Sequence, residues 1–169
     1  WDSQNASTFD QAGRGSSALF AATQRCIIAE VAVATGSQVA CALHDYDKFF
    51  DSIEVIDLLN EVIATDYPVA PFLLAIDQHL APRVIQCQGV CGKPMSVFRS
   101  IVAGCKQSMA LTKAFLKRTM NTVVSRNPEV ENGLYVDDTT QIATGTEINL
   151  VSSKLVPAML DLFKGANKL

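Results

Sequence analysis

Apolar and polar residues along the chain follow two periods, one typical of helices and one typical of short buried strands. Ser16 or Ser17 can cap a helix that runs to about Thr35, where Gly36 is a common stop signal. The short apolar run 38–44 that follows is bounded by Gly36 and Asp45, which favours a buried strand. Similar patterns predict helices at 52–64, 68–82, 106–126 and 148–163, and strands at 83–88, 96–102, 133–136 and 139–143.

This order of elements predicts an α+β fold in which helices pack on one face of a sheet. The 169 residues are 49% hydrophobic, enough for one domain with a sizeable core. The longest apolar runs are shorter than the roughly 20 residues of a membrane helix, and no signal-peptide pattern is visible. The chain begins at Trp1 rather than at methionine, so we interpret it as a fragment.

Cysteine usage and charge narrow the class of protein further. The five cysteines are scattered, and we expect buried, reduced thiols in an intracellular protein of the nucleus or cytoplasm. Cys87 and Cys91 have the spacing of two zinc ligands, but no second ligand pair follows. The net charge is -3, yet residues 78–128 carry eight basic and no acidic side chains. That block suits phosphates, or alternatively forms a solvated basic face without a ligand.

Acidic residues follow two of the predicted strands at their ends. Asp45 comes directly after the strand 38–44, and Asp137 and Asp138 lie where the strands 133–136 and 139–143 meet. Carboxylates gathered in one place repel each other, so a fold that brings three together normally neutralises them with a cation. Two magnesium ions roughly 3.5–4 Å apart can activate an attacking hydroxyl and stabilise a leaving oxygen. We therefore expect a two-metal site.

Three short motifs resemble, in order and spacing, the palm of a reverse transcriptase of the non-LTR retrotransposon and group II intron type. Residues 45–51 (Asp-Tyr-Asp-Lys-Phe-Phe-Asp) resemble the first catalytic motif of that family. Residues 104–112 (Gly-Cys-Lys-Gln-Ser-Met-Ala-Leu-Thr) are similar to its template and nucleotide motif, and residues 135–138 fit its Tyr-x-Asp-Asp box. The segment 9–17 is more weakly similar to the fingers segment before the palm.

The resemblance implies a palm-like antiparallel sheet with helices on one face, and a division of the chain. Residues 1–36 would be a fingers-side segment with its helix, residues 37–169 would be the palm, and the thumb would be absent. Three residues depart from the family pattern. Ser108 replaces a glycine, His44 replaces an apolar residue, and Asp47 is an additional carboxylate.

The family's site residues transfer to matching positions of this chain. Asp45, Asp137, Asp138 and the Tyr46 carbonyl would bind two Mg²⁺ ions, with Mn²⁺ as a substitute. Phe50 would exclude a ribose 2′-hydroxyl, unless it is simply a core aromatic residue. The remaining roles are binding of the nucleotide by Lys106, Gln107 and Arg14, and contact with template and primer by Gly104, Ser108 and Tyr135.

The implied reaction is attack of a primer 3′-hydroxyl on a deoxynucleoside triphosphate. The implied partners are an RNA template, a DNA primer and the nucleotide, with no membrane, and the oligomeric state stays open. Two other functions fit the same residues. One is a viral-type RNA-directed RNA polymerase palm, which Phe50 and Tyr135 disfavour because a ribonucleotide enzyme needs room for the 2′-hydroxyl. The other is an inactive palm remnant that binds nucleic acid or protein.

Overall fold

The computed structural model describes residues 1, 4–13 and 15–166. These residues form a mixed α+β structure with six helices and a small antiparallel sheet. The helices are α1 (Ala18–Ala34), α2 (Phe49–Ser52), α3 (Val55–Ala64), α4 (Val69–His79), α5 (Ser108–Arg126) and α6 (Ile148–Ala166). The strands are β1 (Gln38–His44), β2 (Gln86–Cys87), β3 (Val90–Cys91), β4 (Val130–Tyr135) and β5 (Asp138–Gly145).

The chain divides into two compact units. The first comprises Trp1–Asp47 and Leu116–Lys168 and contains α1, the sheet of β1, β4 and β5, and α6. The second comprises Lys48–Phe115 and contains α2 to α4 and the small β2–β3 hairpin. Helix α5 contributes its first turns to the second unit and its remainder to the first.

Local signals account for the first helix of the sequence. The Ser17 hydroxyl accepts a hydrogen bond from the Phe20 amide at 3.1 Å, which confirms the predicted N-terminal cap. At the other end Gly36 adopts a left-handed φ of 76°. The Ser37 amide then donates to the Ala32 carbonyl at 2.8 Å, as in a Schellman motif. The helix therefore ends where the glycine predicted.

The sheet of the first unit has the strand order β1-β5-β4, and both neighbouring pairs are antiparallel. Ala40 and Ala42 of β1 point to the face that packs on α6. The core on that face lies between the sheet and the helix, and its buried members are Val130, Ala143, Val151, Leu155 and Ala158. Burial of this apolar layer is the main force that holds α6 on the sheet.

Helices lie on both faces of this sheet, so the prediction of helices on one face is wrong. Side chains alternate along β5, so Thr140 points away from the face on which its neighbour Gln141 lies. The Arg25 guanidinium of α1 donates a hydrogen bond to the Thr140 hydroxyl, and Thr140 is almost fully buried. The sequence pattern of α1 did not reveal this second face because its apolar residues are spread around the helix instead of forming one apolar side.

Two predicted elements of the second unit differ from the structure. The helix expected at 52–64 begins later, at Val55, because the backbone at Ile53 and Glu54 is extended, and Ser52 instead ends the short helix α2. The strand expected at 96–102 does not form, and only a single bridge between Arg83 and Met95 extends the hairpin. Residues 100 and 101 instead bond to the region of α2, with the Ser100 amide donating to the Ile53 carbonyl at 3.1 Å.

The cysteines differ from expectation as well. All five are free thiols, but four are exposed and Cys105 is partly exposed, so the predicted burial is wrong. In the β2–β3 register Cys91 faces Gln86 and Cys87 faces Val90, which places the two thiols on opposite faces of the hairpin. They therefore do not form a ligand pair. Among the described helices, none has the length and apolarity needed to cross a membrane.

Candidate active site

The tip of the β4–β5 hairpin has a strained backbone. Strand β4 ends at Tyr135 and β5 begins at Asp138, so Val136 and Asp137 form a two-residue turn. Val136 has a φ of 61°, a left-handed conformation that is an outlier for a β-branched side chain. Such strain costs about 1–3 kcal/mol and is concentrated at functional sites. The sequence predicted the turn one residue later, at Asp137 and Asp138.

Strand register brings Asp45 to the same end of the sheet as this turn. His44, the last residue of β1, pairs with Thr139 of β5. Asp45 follows His44 and Asp138 precedes Thr139 in antiparallel strands, so both acids lie just beyond the last β1–β5 pair, at the same end of the sheet. Asp45 and Asp138 are exposed, and Asp137 is partly buried. Acids from two distant parts of the sequence therefore meet at one edge.

The electrostatics of Asp137 reflect this arrangement. The pKa of the Asp137 carboxyl is raised, first by partial burial, and further by the negative charges of Asp138 and Asp45. A hydrogen bond to the backbone of Asp137 acts in the opposite direction. Mutual repulsion of this kind favours a bound cation, and carboxylate oxygens are the ligands that Mg²⁺ prefers.

The acids do not, however, form a ready-made metal cage. Within residues 1, 4–13 and 15–166 there is no group of three or more His, Cys, Asp or Glu side chains arranged to hold a metal ion. Magnesium is commonly held by one or two carboxylates together with waters and substrate phosphates. The donor set at this edge fits that mode of binding and does not fit a structural metal site.

A buried polar chain lies directly behind the acidic edge. His44 Nε2 is 3.1 Å from Gln141 Oε1, and Gln141 Nε2 donates to Asn132 Oδ1 at 3.0 Å. Burial lowers the pKa of His44, and its hydrogen bond with Gln141 partly offsets that effect. Neither Gln141 nor Asn132 was predicted from the sequence as a site residue. The available signal was a glutamine inside an otherwise apolar and threonine-rich strand, which needs a buried partner.

The two tyrosines proposed for the site lie in the first unit. Tyr135 is partly buried and pairs with Asp138 across the hairpin. Tyr46 is also partly buried, and burial raises the pKa of its hydroxyl while a hydrogen bond with Thr139 lowers it. The Tyr46 hydroxyl therefore lies close to Thr139, the residue that follows Asp138 on β5.

Most of the residues proposed for nucleotide and template binding lie in the second unit, namely Phe50, Gly104, Lys106, Gln107 and Ser108. Phe50 is partly buried, and its ring meets that of Phe49 edge to face with centroids 5.4 Å apart. Lys106 is exposed, and Gly104 has a φ of 80°, which suits glycine. The buried Oε1 atom of Gln107 has no hydrogen-bond partner among the described residues. A buried acceptor of this kind calls for a partner, which the described residues do not supply.

Ser108, which departs from the family pattern, begins α5 and is almost fully buried. Its hydroxyl donates to the Cys105 carbonyl at 2.6 Å, so the side chain turns inward. The serine therefore fits without projecting into the surface before the helix. Arg14, proposed to meet a triphosphate, lies outside the described residues.

A second polar cluster, also missed from the sequence, surrounds Ser100 in the second unit. Ser100 is buried at a φ of 113°, and its hydroxyl donates to Asp51 Oδ1 at 3.1 Å. Arg83 donates to the same hydroxyl at 3.1 Å. The Val102 amide donates to His79 Nδ1 at 3.0 Å. These contacts attach the last residue of the 45–51 motif to the segment that leads into the 104–112 motif.

Comparison with known proteins assigns no family to the chain. No protein-family model, curated protein or solved structure matches it. The geometry of its own residues is therefore the basis for a functional assignment.

Proposed function

We propose that the chain is part of the palm of an RNA-directed DNA polymerase. One observation carries the proposal. The register of β1 with β5 puts Asp45 beside Asp138, next to a strained turn that carries Asp137. Carboxylates at two adjacent strand ends, with the pKa of one raised in part by the other two, are the arrangement that the motif resemblance requires. An intracellular location, in the nucleus or cytoplasm, is part of the same proposal.

In this proposal Asp45, Asp137 and Asp138, with the Tyr46 carbonyl, hold two Mg²⁺ ions. The bound metal would supply charge neutralisation at the triphosphate and a lower pKa for the primer hydroxyl. The protein itself would position the ions. The three acids are fixed by strand pairing, and little general acid–base chemistry is needed because orientation and charge stabilisation dominate such a reaction.

The resemblance assigns nucleotide recognition to three residues of the second unit. Gln107 offers an unpaired buried acceptor, Lys106 offers an exposed positive charge for phosphate, and Phe50 offers an aromatic surface for a deoxyribose. Gly104 and Ser108 flank this segment and would border the template, while Tyr135 would support the primer. The RNA template, DNA primer and dNTP are the corresponding partners.

Primer extension with Mg²⁺, an RNA template, a DNA primer and dNTPs tests the proposal. We expect Asp137→Asn to lower incorporation by more than about 100-fold, because it removes a charge that would act at the reacting phosphate. Asp77→Asn is the matched control, since Asp77 is an exposed acid on α4, and it should leave incorporation unchanged. Equal loss in both variants contradicts the assignment of Asp137.

Two other outcomes would replace the proposal with one of its alternatives. A preference of the wild-type chain for ribonucleotides indicates an RNA-directed RNA polymerase. Retention of RNA in a filter-binding assay without synthesis indicates a binding remnant.

Sugar selection provides a separate test of Phe50. We expect Phe50→Ala to raise ribonucleotide incorporation relative to deoxynucleotide incorporation, because the smaller side chain leaves room for the 2′-hydroxyl. Phe98→Ala is the matched control, because the Phe98 ring is 85% exposed in the same unit. An unchanged ratio in Phe50→Ala would show that Phe50 is only a packing residue.

A further inference from the structure

The buried polar chain behind the acidic edge crosses every strand of the three-stranded sheet. His44 belongs to β1, Gln141 to β5 and Asn132 to β4, and the hydrogen bonds between them measure 3.1 and 3.0 Å. Asn132 Nδ2 ends the chain by donating to the Val130 carbonyl at 2.8 Å. The three side chains are at most 8% exposed, so water does not compete for these contacts.

The hydrogen bonds of the buried polar chain all run in one donor-to-acceptor direction, from His44 to Val130. The Gln141 amide nitrogen donates to Asn132, so the Gln141 oxygen is the atom that faces His44. His44 must then donate from Nε2, which fixes its tautomer. A slip of β1 along β5 by one residue would turn His44 to the face opposite Gln141 and break the hydrogen bond between them. The network therefore specifies one register for the sheet.

That register is the one that places Asp45 beside Asp138. His44 immediately precedes Asp45, and its ring also packs edge to face on Phe163 of α6, with centroids 5.3 Å apart. The end of β1 is thus held by a hydrogen bond that His44 donates to β5 and by a ring contact with α6. We propose that the His44–Gln141–Asn132 chain is a positioning device that holds Asp45 next to the Asp137 turn. The catalytic part of this inference rests on the proposed function.

Two substitutions of His44 separate positioning from simple packing. His44→Gln keeps an amide donor near the position of Nε2, whereas His44→Leu removes it. In primer extension we expect His44→Leu to lower kcat by about 10-fold to 100-fold with little change in the KM for dNTP, and His44→Gln to restore most of the loss. Equal kcat values in the two variants overturn the inference.

Leu155→Ala serves as the control for lost packing. Leu155 belongs to the α6 core but not to the polar chain. The variant should lower the midpoint of urea unfolding while leaving kcat, measured well below that midpoint, within about twofold of wild type. A fall in kcat equal to that of His44→Leu would show that general destabilisation explains the effect.

Amide hydrogen exchange tests the same inference without synthesis. We expect His44→Leu to speed exchange at residues 42–45 and 138–141 by at least about 10-fold, and His44→Gln to leave exchange there close to wild type. Leu155→Ala should not speed amide exchange preferentially at these residues. If the wild-type protein makes no product, the proposed function fails. The exchange pattern still decides whether the His44–Gln141–Asn132 chain holds the end of β1.

Discussion

Replacement of Gln141 by leucine tests how much the buried polar chain contributes to stability. Gln141 is fully buried and makes one hydrogen bond to His44 and one to Asn132. Leucine is close to glutamine in volume but leaves His44 Nε2 and Asn132 Oδ1 without a hydrogen-bond partner. Each orphaned buried group costs about 1–3 kcal/mol, so we expect the free energy of unfolding to fall by about 2–5 kcal/mol.

Urea unfolding, followed by circular dichroism, measures this loss. Gln38→Leu is the matched control, because Gln38 is exposed on β1 and its replacement should change the free energy of unfolding by less than about 0.5 kcal/mol. In the double variant His44→Leu/Gln141→Leu both atoms of the His44–Gln141 hydrogen bond are absent, so neither is left buried without a partner. The combined loss should therefore be smaller than the sum of the single losses by about 0.5–3 kcal/mol.

Two results would refute this reasoning. A loss below about 0.5 kcal/mol in Gln141→Leu would mean that the buried hydrogen bonds add nothing beyond packing. Strict additivity in the double variant would mean that His44 and Gln141 do not interact in solution.

Three other features give further predictions. The pKa of the Asp137 carboxyl is raised in the folded protein by burial and by neighbouring acids, so the free energy of unfolding should fall as the pH rises from the ordinary pKa of an aspartate through the raised pKa. Asp137→Asn should abolish that fall in urea titrations across about pH 3–7 and should be more stable than wild type at neutral pH. Val136→Gly relieves left-handed strain of about 1–2 kcal/mol, so its urea midpoint should stay level or rise, whereas Val39→Gly, in the regular strand β1, should lower it. Gly165→Ala would place a methyl group 2.5 Å from Thr119 Cγ2, so it should lower the thermal midpoint despite the better helix propensity of alanine. An increase would show that the Thr119 side chain moves aside at little cost.

Local signals in the sequence predicted the elements that depend on local chemistry. Strand 38–44 has the predicted limits because Gly36 and Asp45 bound a short apolar run. Helix α1 ends at its glycine for a similar reason. These features follow from backbone conformation and capping, which a few neighbouring residues determine.

Features that depend on distant partners were not predictable in this way. Nothing near Thr140 indicates that Arg25 covers it, and nothing near Ser100 indicates that its amide bonds to Ile53 instead of a strand partner. The left-handed backbone of Val136 contradicts the preference of valine, so local propensity placed the turn one residue too late. At the site, the sequence predicted that acids meet at strand ends, but not the polar chain behind them.

The outer side of β4 is occupied by the N-terminal segment. The Leu134 amide donates to the Phe9 carbonyl at 2.8 Å, and the Gln11 amide donates to the Leu134 carbonyl at 2.9 Å. An uncovered strand with free amide and carbonyl groups can recruit a strand from another molecule. A shortened protein that begins after Gln11 should consequently lose solubility through intermolecular strand addition at β4, before any loss of helix content is detectable.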